Sequence, residues 1–262
     1  MYIFNFLLYV SFIHYLFIKN QNKMRKFFFI LLLIPVLGIS QTKNVISATR
    51  VFPKADKVLE FENALAAHAQ KYHTGDWSWR VYEIMSGPDA GGYHIVEGPT
   101  SWDAFNGRGD LSKEHNDDWN KNVAVYLTDK TEESYSVYVD SLSTVALTSY
   151  SDKIVVNHIY PKPGMVNGVN DLVKKMKKVW MDGNETVAVY QAVASGDPQI
   201  VTVTRLKEGL KEMADGYRKP TPERFNTAYG AGAWDTYLTD YSKYVERRWS
   251  ELLVYHADLS SK

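Results

Sequence analysis

Apolar positions along the chain follow two periods, and the switches between them mark its elements. Val45–Phe52 and Ile154–Tyr160 are β-rich runs. Each is closed by a proline, Pro53 or Pro161, which cannot donate to a continuing ladder. Val58, Phe61, Leu65, His68 and Tyr72 alternate at three- and four-residue spacing, which predicts an amphipathic helix over Asp56–Tyr72. Val169, Val173, Met176 and Trp180 predict another over Val166–Trp180. Trp77–Met85 and Thr186–Val193 read as strands. Ser86-Gly87-Pro88-Asp89 and Ser195-Gly196-Asp197-Pro198 have turn chemistry and lead into strands Gly92–Glu97 and Gln199–Thr204. A long helical stretch is expected through Trp119, Val123, Tyr126 and Lys130, and again through Trp234, Tyr237, Tyr241 and Val245. Ser134–Leu142 and Leu252–Leu259 read as closing strands.

The same order of elements occurs twice, and letters repeat with it. Val51-Phe52-Pro53-Lys54 matches Ile159-Tyr160-Pro161-Lys162, and Val81-Tyr82-Glu83 matches Val189-Tyr190-Gln191, both at an offset of 108. Tyr126-Leu127-Thr128-Asp129 recurs as Tyr237-Leu238-Thr239-Asp240 at 111, and Val137-Tyr138 as Val254-Tyr255 at 117. Matches in one order with growing offsets indicate duplication. Each half reads β-α-β-β-α-β, so the expected class is α+β, with two tandem ferredoxin-like repeats over residues 41–145 and 150–262. Val45–Phe52 is apolar on both faces, as in a sheet covered on both sides. The economical cover is the other half's sheet, giving a pseudo-dimeric α/β barrel.

Residues 1–40 contain Lys19, Lys23, Arg25, Lys26 and no acid. Met24-Arg25-Lys26, the apolar run Phe27–Ile39 and the small residues up to Ser40 have the three parts of a secretory signal. Thirteen helical residues rise roughly 20 Å, short of a hydrocarbon core of about 30 Å. Residues 24–40 are therefore expected to be a signal peptide cleaved near Ser40/Gln41, making the protein secreted or periplasmic. Residues 1–23 read as an upstream extension before a start at Met24, or as an N-terminal apolar segment; left uncleaved, this would be the chain's one route to a membrane. Beyond residue 40, 26 bases face 30 acids, which removes the basic excess of a nucleic-acid binder. The chain has no cysteine, which excludes disulfides, thiolate metal sites and a Cys nucleophile.

Two tandem β-α-β-β-α-β units with proline after the first strand resemble the dimeric α/β-barrel superfamily in fused form. Trp102 and Phe105 resemble the short W-x-x-F helix of antibiotic-monooxygenase-like and NIPSNAP-like members. The resemblance implies a ligand cavity within one half, between its sheet and helices. It also implies a range of activities: cofactor-free oxygenases, haem-degrading enzymes, haem-dependent chlorite and peroxide enzymes, and proteins with none.

His115 lies four residues before Trp119 on one helical face, as a general base or haem ligand would need; it reads equally as a solvated histidine in the polar run Ser112–Asp118. His94, with Arg50 and Tyr82, could line a cavity in the first half, with Tyr190 the counterpart of Tyr82 in the second. Asn157-His158 is similar to the strand Asn of haem-degrading members, but the second half has no helix histidine to complete that set. His158 and its counterpart Arg50 are expected near the pseudo-twofold axis. His68, on an apolar helical face, reads as a hydrogen-bonded core histidine. No His-x-Glu or His-x-x-x-His spacing appears, so no metal is expected, and no cofactor apart from haem as an alternative. The candidate catalytic residues are His115 and His94; the candidate ligand-binding residues are Arg50, Tyr82, His94, His115, Trp119, His158 and Tyr190.

Three readings remain. The first is an exported module that binds a small apolar or aromatic molecule, as a monomeric pseudo-dimer or homodimer. The second is a cofactor-free monooxygenase or haem-handling enzyme. The third is a structural or interaction protein.

Overall fold

The structure is a computed structural model that describes residues 42–109 and 111–262. The expectations for an upstream extension, a signal peptide and a cleavage site fall outside these residues. No helix among the described residues is long and apolar enough to cross a membrane.

Eight strands close into an antiparallel barrel with helices outside it. The first half runs β1 (Val45–Pro53), α1 (Val58–Tyr72), β2 (Trp79–Ile84), β3 (Tyr93–Thr100), α2 (Trp102–Gly107), α3 (Lys113–Asp118) and β4 (Leu127–Tyr138). The second runs β5 (Lys153–Pro161), α4 (Val166–Asp182), β6 (Val187–Val193), β7 (Ile200–Arg205), α5 (Thr221–Tyr229), α6 (Ala233–Tyr244) and β8 (Val245–Tyr255). Around the barrel the order is β1-β3-β2-β8-β5-β7-β6-β4. Each half contributes a contiguous four-strand arc with its first strand between its third and fourth. Two short seams close the ring. Tyr82, Glu83 and Ile84 pair with Tyr255, Val254 and Leu253, and Tyr135–Tyr138 pair with Val193–Tyr190.

Strand alternation sends one set of side chains to the helices and the other into the barrel. Outside the first arc, Val51, Val81 and Ile95 pack with Phe61 and Leu65 of α1. Outside the second, Val187, Val189 and Ile200 pack with Val169, Leu172 and Val173 of α4 and with Phe225 of α5. Inside, Tyr82, Ile84, Ile154, Val156 and Leu253 make a third cluster. β1 is covered on both faces, which is why Val45–Phe52 reads as apolar on both sides.

Four sequence expectations are corrected. The long helix through Lys130 is instead α3, a π-helical turn Trp119–Val123 and a 3-10 turn Ala124–Tyr126; strand β4 starts at Leu127. In the second half the strand starts at Val245, seven residues before the expected Leu252. The reason is backbone pairing. Residues 128–133 are exposed and polar, but their ladder to β1 (Val51↔Thr131, Arg50↔Glu132, Thr49↔Glu133) holds them extended. The four-letter match at offset 111 also joins unlike positions: Leu127-Thr128-Asp129 begin a strand, whereas Leu238-Thr239-Asp240 lie within helix α6. Ladder registers equate Glu132, opposite Arg50, with Trp249, opposite His158, the offset of 117 carried by the Val-Tyr pair. Trp77 lies in a 3-10 turn, Gly75–Trp77, rather than in the strand it was expected to open.

Candidate functional site

Register assembles the first site. Arg50 lies opposite His94 across β1–β3, His94 opposite Tyr82 across β2–β3, and Tyr82 opposite Tyr255 across the seam to β8. These side chains form one row around the barrel interior. Arg50, Tyr82 and His94 line a cavity of about 110 Å³ together with His158, Tyr190, Arg80, Arg205, Gln199 and Tyr150. Five of the seven expected ligand-binding residues, Arg50, Tyr82, His94, His158 and Tyr190, therefore meet in one place. That place is the space between the two halves, not between one half's sheet and its own helices.

One side of the interior is a buried charge network. Arg50 bonds Glu251 through both guanidinium nitrogens and Asp89 at 2.6 Å, and Lys130 holds the other Asp89 oxygen at 2.6 Å. His158 Nε2 lies 2.9 Å from Glu251 and its Nδ1 2.9 Å from Gln199, while Trp249 stacks on its ring at 3.9 Å. Burial works to lower the Arg50 pKa, but the bonds to Glu251 and Asp89 outweigh it and hold the guanidinium above its ordinary value. Burial works to raise that of Glu251, and His158 and Arg50 overcome it. Arg50 and His158 were expected near the axis between the halves, and their 3.4 Å contact joins β1 to β5 there. Glu251, Asp89 and Gln199 were not expected. Glu251 was hidden because β8 was placed to begin after it.

Desolvation first, then the Arg50 charge, pushes His94 down to about 3, and its Nδ1 has no hydrogen-bond partner. At neutral pH it is a neutral imidazole and a weak general base. Opposite the charge network lie two guanidinium groups without a carboxylate partner among the described residues. Arg205 donates to the carbonyls of Ala146, Leu147 and Ser149 and to the Tyr190 hydroxyl. Arg80 stands 3.9 Å from the Tyr150 ring and 4.3 Å from that of Tyr255. Tyr150, from the segment joining the halves, is the common neighbour, with Arg205 5.5 Å from its ring.

His115 and Trp119 are elsewhere, outside the barrel between the sheet and helices of the first half. His115 opens into a histidine cluster instead of standing alone in solvent. Its Nε2 is 3.2 Å from that of His73, which is 3.4 Å from that of His68. The helix ends at Tyr72, and the extended backbone of His73 turns its ring back beneath α1, where Trp79 stacks on it at 3.5 Å. Trp119 packs edge-on against His68. Burial lowers the pKa of both His68, to about 4, and His73. His68 is the hydrogen-bonded core histidine expected, its partner being Asp118 at 2.7 Å. His73 was missed because histidines five residues apart across a helix end match no ligand spacing.

Neither histidine site fits a haem. Beside His115 the space is filled by His73, His68 and the stacked Trp79. His94 opens onto about 110 Å³, against roughly 300–1,000 Å³ for pockets of drug-sized ligands. Two larger surface clefts, of about 770 and 370 Å³, contain no histidine.

No protein-family model matches the chain, and no curated protein matches it. Solved structures do. An anthrone oxidase-like protein superposes over 83% of this chain and 94% of its own, at 14% identity and a TM-score of 0.54. A mutant chlorite dismutase from Candidatus Nitrospira defluvii superposes over 83% and 94%, at 10% identity and a TM-score of 0.51. At such identities the likeness concerns the path of the backbone and not its chemistry. The closed eight-strand barrel with its outer helices is accordingly the dimeric α/β-barrel fold.

Proposed function

We propose that this protein is a small-molecule-binding module whose site is the barrel interior and whose ligand is a small carboxylate with a short apolar body. One observation carries the reading: Arg80 and Arg205 converge on Tyr150 at the cavity wall with no carboxylate among the described residues to balance either. Arg205 is buried and Arg80 half-buried; a cation taken out of water without a counter-charge is unfavourable, and a bound anion relieves it. Ile46, Val96, Ile154, Val201 and Val203 supply the apolar wall that an apolar ligand was expected to need. The cavity volume limits the ligand to a few heavy atoms beyond the carboxylate.

The test is calorimetric titration of the purified protein with short aliphatic and aromatic monocarboxylates, beside Arg80→Met. Binding weakened at least tenfold by Arg80→Met supports the assignment. A ligand at 100 times its Kd would also stabilise the fold by about 2.7 kcal/mol. Absence of heat and of any melting shift at millimolar carboxylate refutes it. Within the same reading, the two arcs are tandem ferredoxin-like repeats of a duplicated unit, over residues 41–145 and 150–262. The basic, apolar and small-residue order of residues 24–40 supports export with cleavage before Gln41. A mature N-terminus elsewhere in the exported protein removes that part.

A further inference from the structure

The histidine cluster outside the barrel contains a contradiction that a metal would remove. His68 Nδ1 lies 2.7 Å from Asp118 and His73 Nδ1 3.2 Å from Glu97. Carboxylates accept, so each of these nitrogens carries its ring's proton. The Nε2 of a neutral imidazole so held is a lone pair. Yet the His68 and His73 Nε2 atoms face each other at 3.4 Å, and His115 Nε2 faces His73 Nε2 at 3.2 Å. The ring proton of His115 could bridge its own contact with His73, but the single lone pair of His73 Nε2 is then used and the His68 contact stays unbridged. A cation between the three nitrogens satisfies them together.

We propose that His68, His73 and His115 bind a divalent transition-metal ion of the zinc class through their Nε2 atoms. Two of the three separations suit it. Nitrogens held tetrahedrally at about 2.0–2.1 Å from zinc stand about 3.3–3.4 Å apart. The two Nε2 separations fall beside that value, and one donor atom from each of the three residues lies within 4.8 Å of the others.

The surroundings have the form of a metal site's outer shell. Carboxylates on the far nitrogens fix tautomer and ring orientation and raise ligand basicity. Glu97 is held in turn by Arg108 through both its oxygens and by Trp79 Nε1 at 2.9 Å. His68 and His73 are buried, while His115 is half-buried and faces the outside, on the side from which an ion would enter. A π-helical turn begins at Trp119, one residue after Asp118, and such turns concentrate at functional sites. Three imidazoles leave a fourth position for water or an exogenous ligand, the arrangement of catalytic zinc sites rather than closed structural ones. Nickel and copper compete for the same nitrogens.

The test uses untagged protein stripped with a chelator and titrated with Zn²⁺ against a chromophoric competitor, and with Co²⁺ by visible spectroscopy. The expected result is one ion per chain and the strong visible bands of tetrahedral cobalt. His115→Ala, at the half-buried rim, and His73→Ala should weaken binding at least 100-fold. Asp118→Ala, which removes an outer-shell partner, should weaken it roughly 10–100-fold with unchanged stoichiometry. His256→Ala, whose ring pairs with Glu83 away from the cluster, should bind as the wild type does. Folded wild-type protein that takes up neither ion in stoichiometric amount overturns the site. So does folded His115→Ala, checked by circular dichroism, that binds with wild-type affinity.

Discussion

Glu251 is the residue on which the barrel interior is most exposed to perturbation. It is 2% exposed, accepts from both guanidinium nitrogens of Arg50 and contacts His158. Replacing it with Leu leaves Arg50 buried with Asp89 as its remaining carboxylate and His158 with Gln199 alone. Removing one partner of a buried pair costs about 3–5 kcal/mol. Asp89 retains its 2.6 Å bond to Arg50, so the lower end, about 3 kcal/mol, is expected. Arg50→Met should cost about as much, because Glu251 is then left with His158 in the same closed interior. The double variant behaves differently. Asp89 keeps Lys130, His158 keeps Gln199, and two apolar side chains occupy the vacated space. Replacing both members of a buried pair is often nearly neutral. The double variant should therefore lose less than either single one, with a coupling of about 2 kcal/mol or more. Urea unfolding at pH 7 measures this. With a slope of about 3 kcal/mol per molar, each single variant shifts the midpoint by about 1 M. Additive losses, or single variants within about 0.5 kcal/mol of wild type, refute the view that these charges hold one another in place.

Two further outcomes follow from the interior and from β3. His94 titrates at about 3 in the folded chain and near 6.5 when unfolded, lowered by burial and by Arg50 and His158, with Glu251 and Asp89 opposing. Between those values the unfolded chain binds the extra proton, so stability is complete above about pH 6.5 and falls on acidification by up to about 1.4 kcal/mol per unit. His94→Gln should flatten the dependence of the urea midpoint between pH 7 and 5, and an unchanged slope would exclude this origin. Gly98 adopts φ +107° where the β1–β3 register shifts, and a Cβ there would stand 3.0 Å from the Val45 carbonyl oxygen. Gly98→Ala should lower stability by about 1–3 kcal/mol in the same assay, and a neutral result would show that the strand relaxes without strain.

Periodicity and turn chemistry are properties of neighbouring residues, and what depended on them was legible. Pro53 and Pro161 end their strands, α1 carries Phe61 and Leu65 on its buried face, and both hairpins fall at the Ser-Gly turns. Two-sided strands also announced a covered sheet, and Arg50, Tyr82 and His94 were grouped at one cavity, although it was expected on the helix side of the first half. Where β4 and β8 begin was not legible, because residues 128–133 are held by ladder bonds to β1 and not by burial of their own side chains. Misplacing β8 concealed Glu251, the carboxylate that joins Arg50 to His158.

The sequence by itself determined the order of most elements and pointed to five of the side chains that line the interior, since strand and helix patterns follow from spacings of two to four residues. Tertiary structure alone decided that the cavity lies between the halves, that its cationic pole is Arg80 and Arg205 about Tyr150, and that His115 meets His68 and His73. Those groups come from strands, helix ends and a linker that are far apart in the chain. Barrel closure and the turn of backbone at His73 bring them within a few ångströms, and no local pattern encodes either.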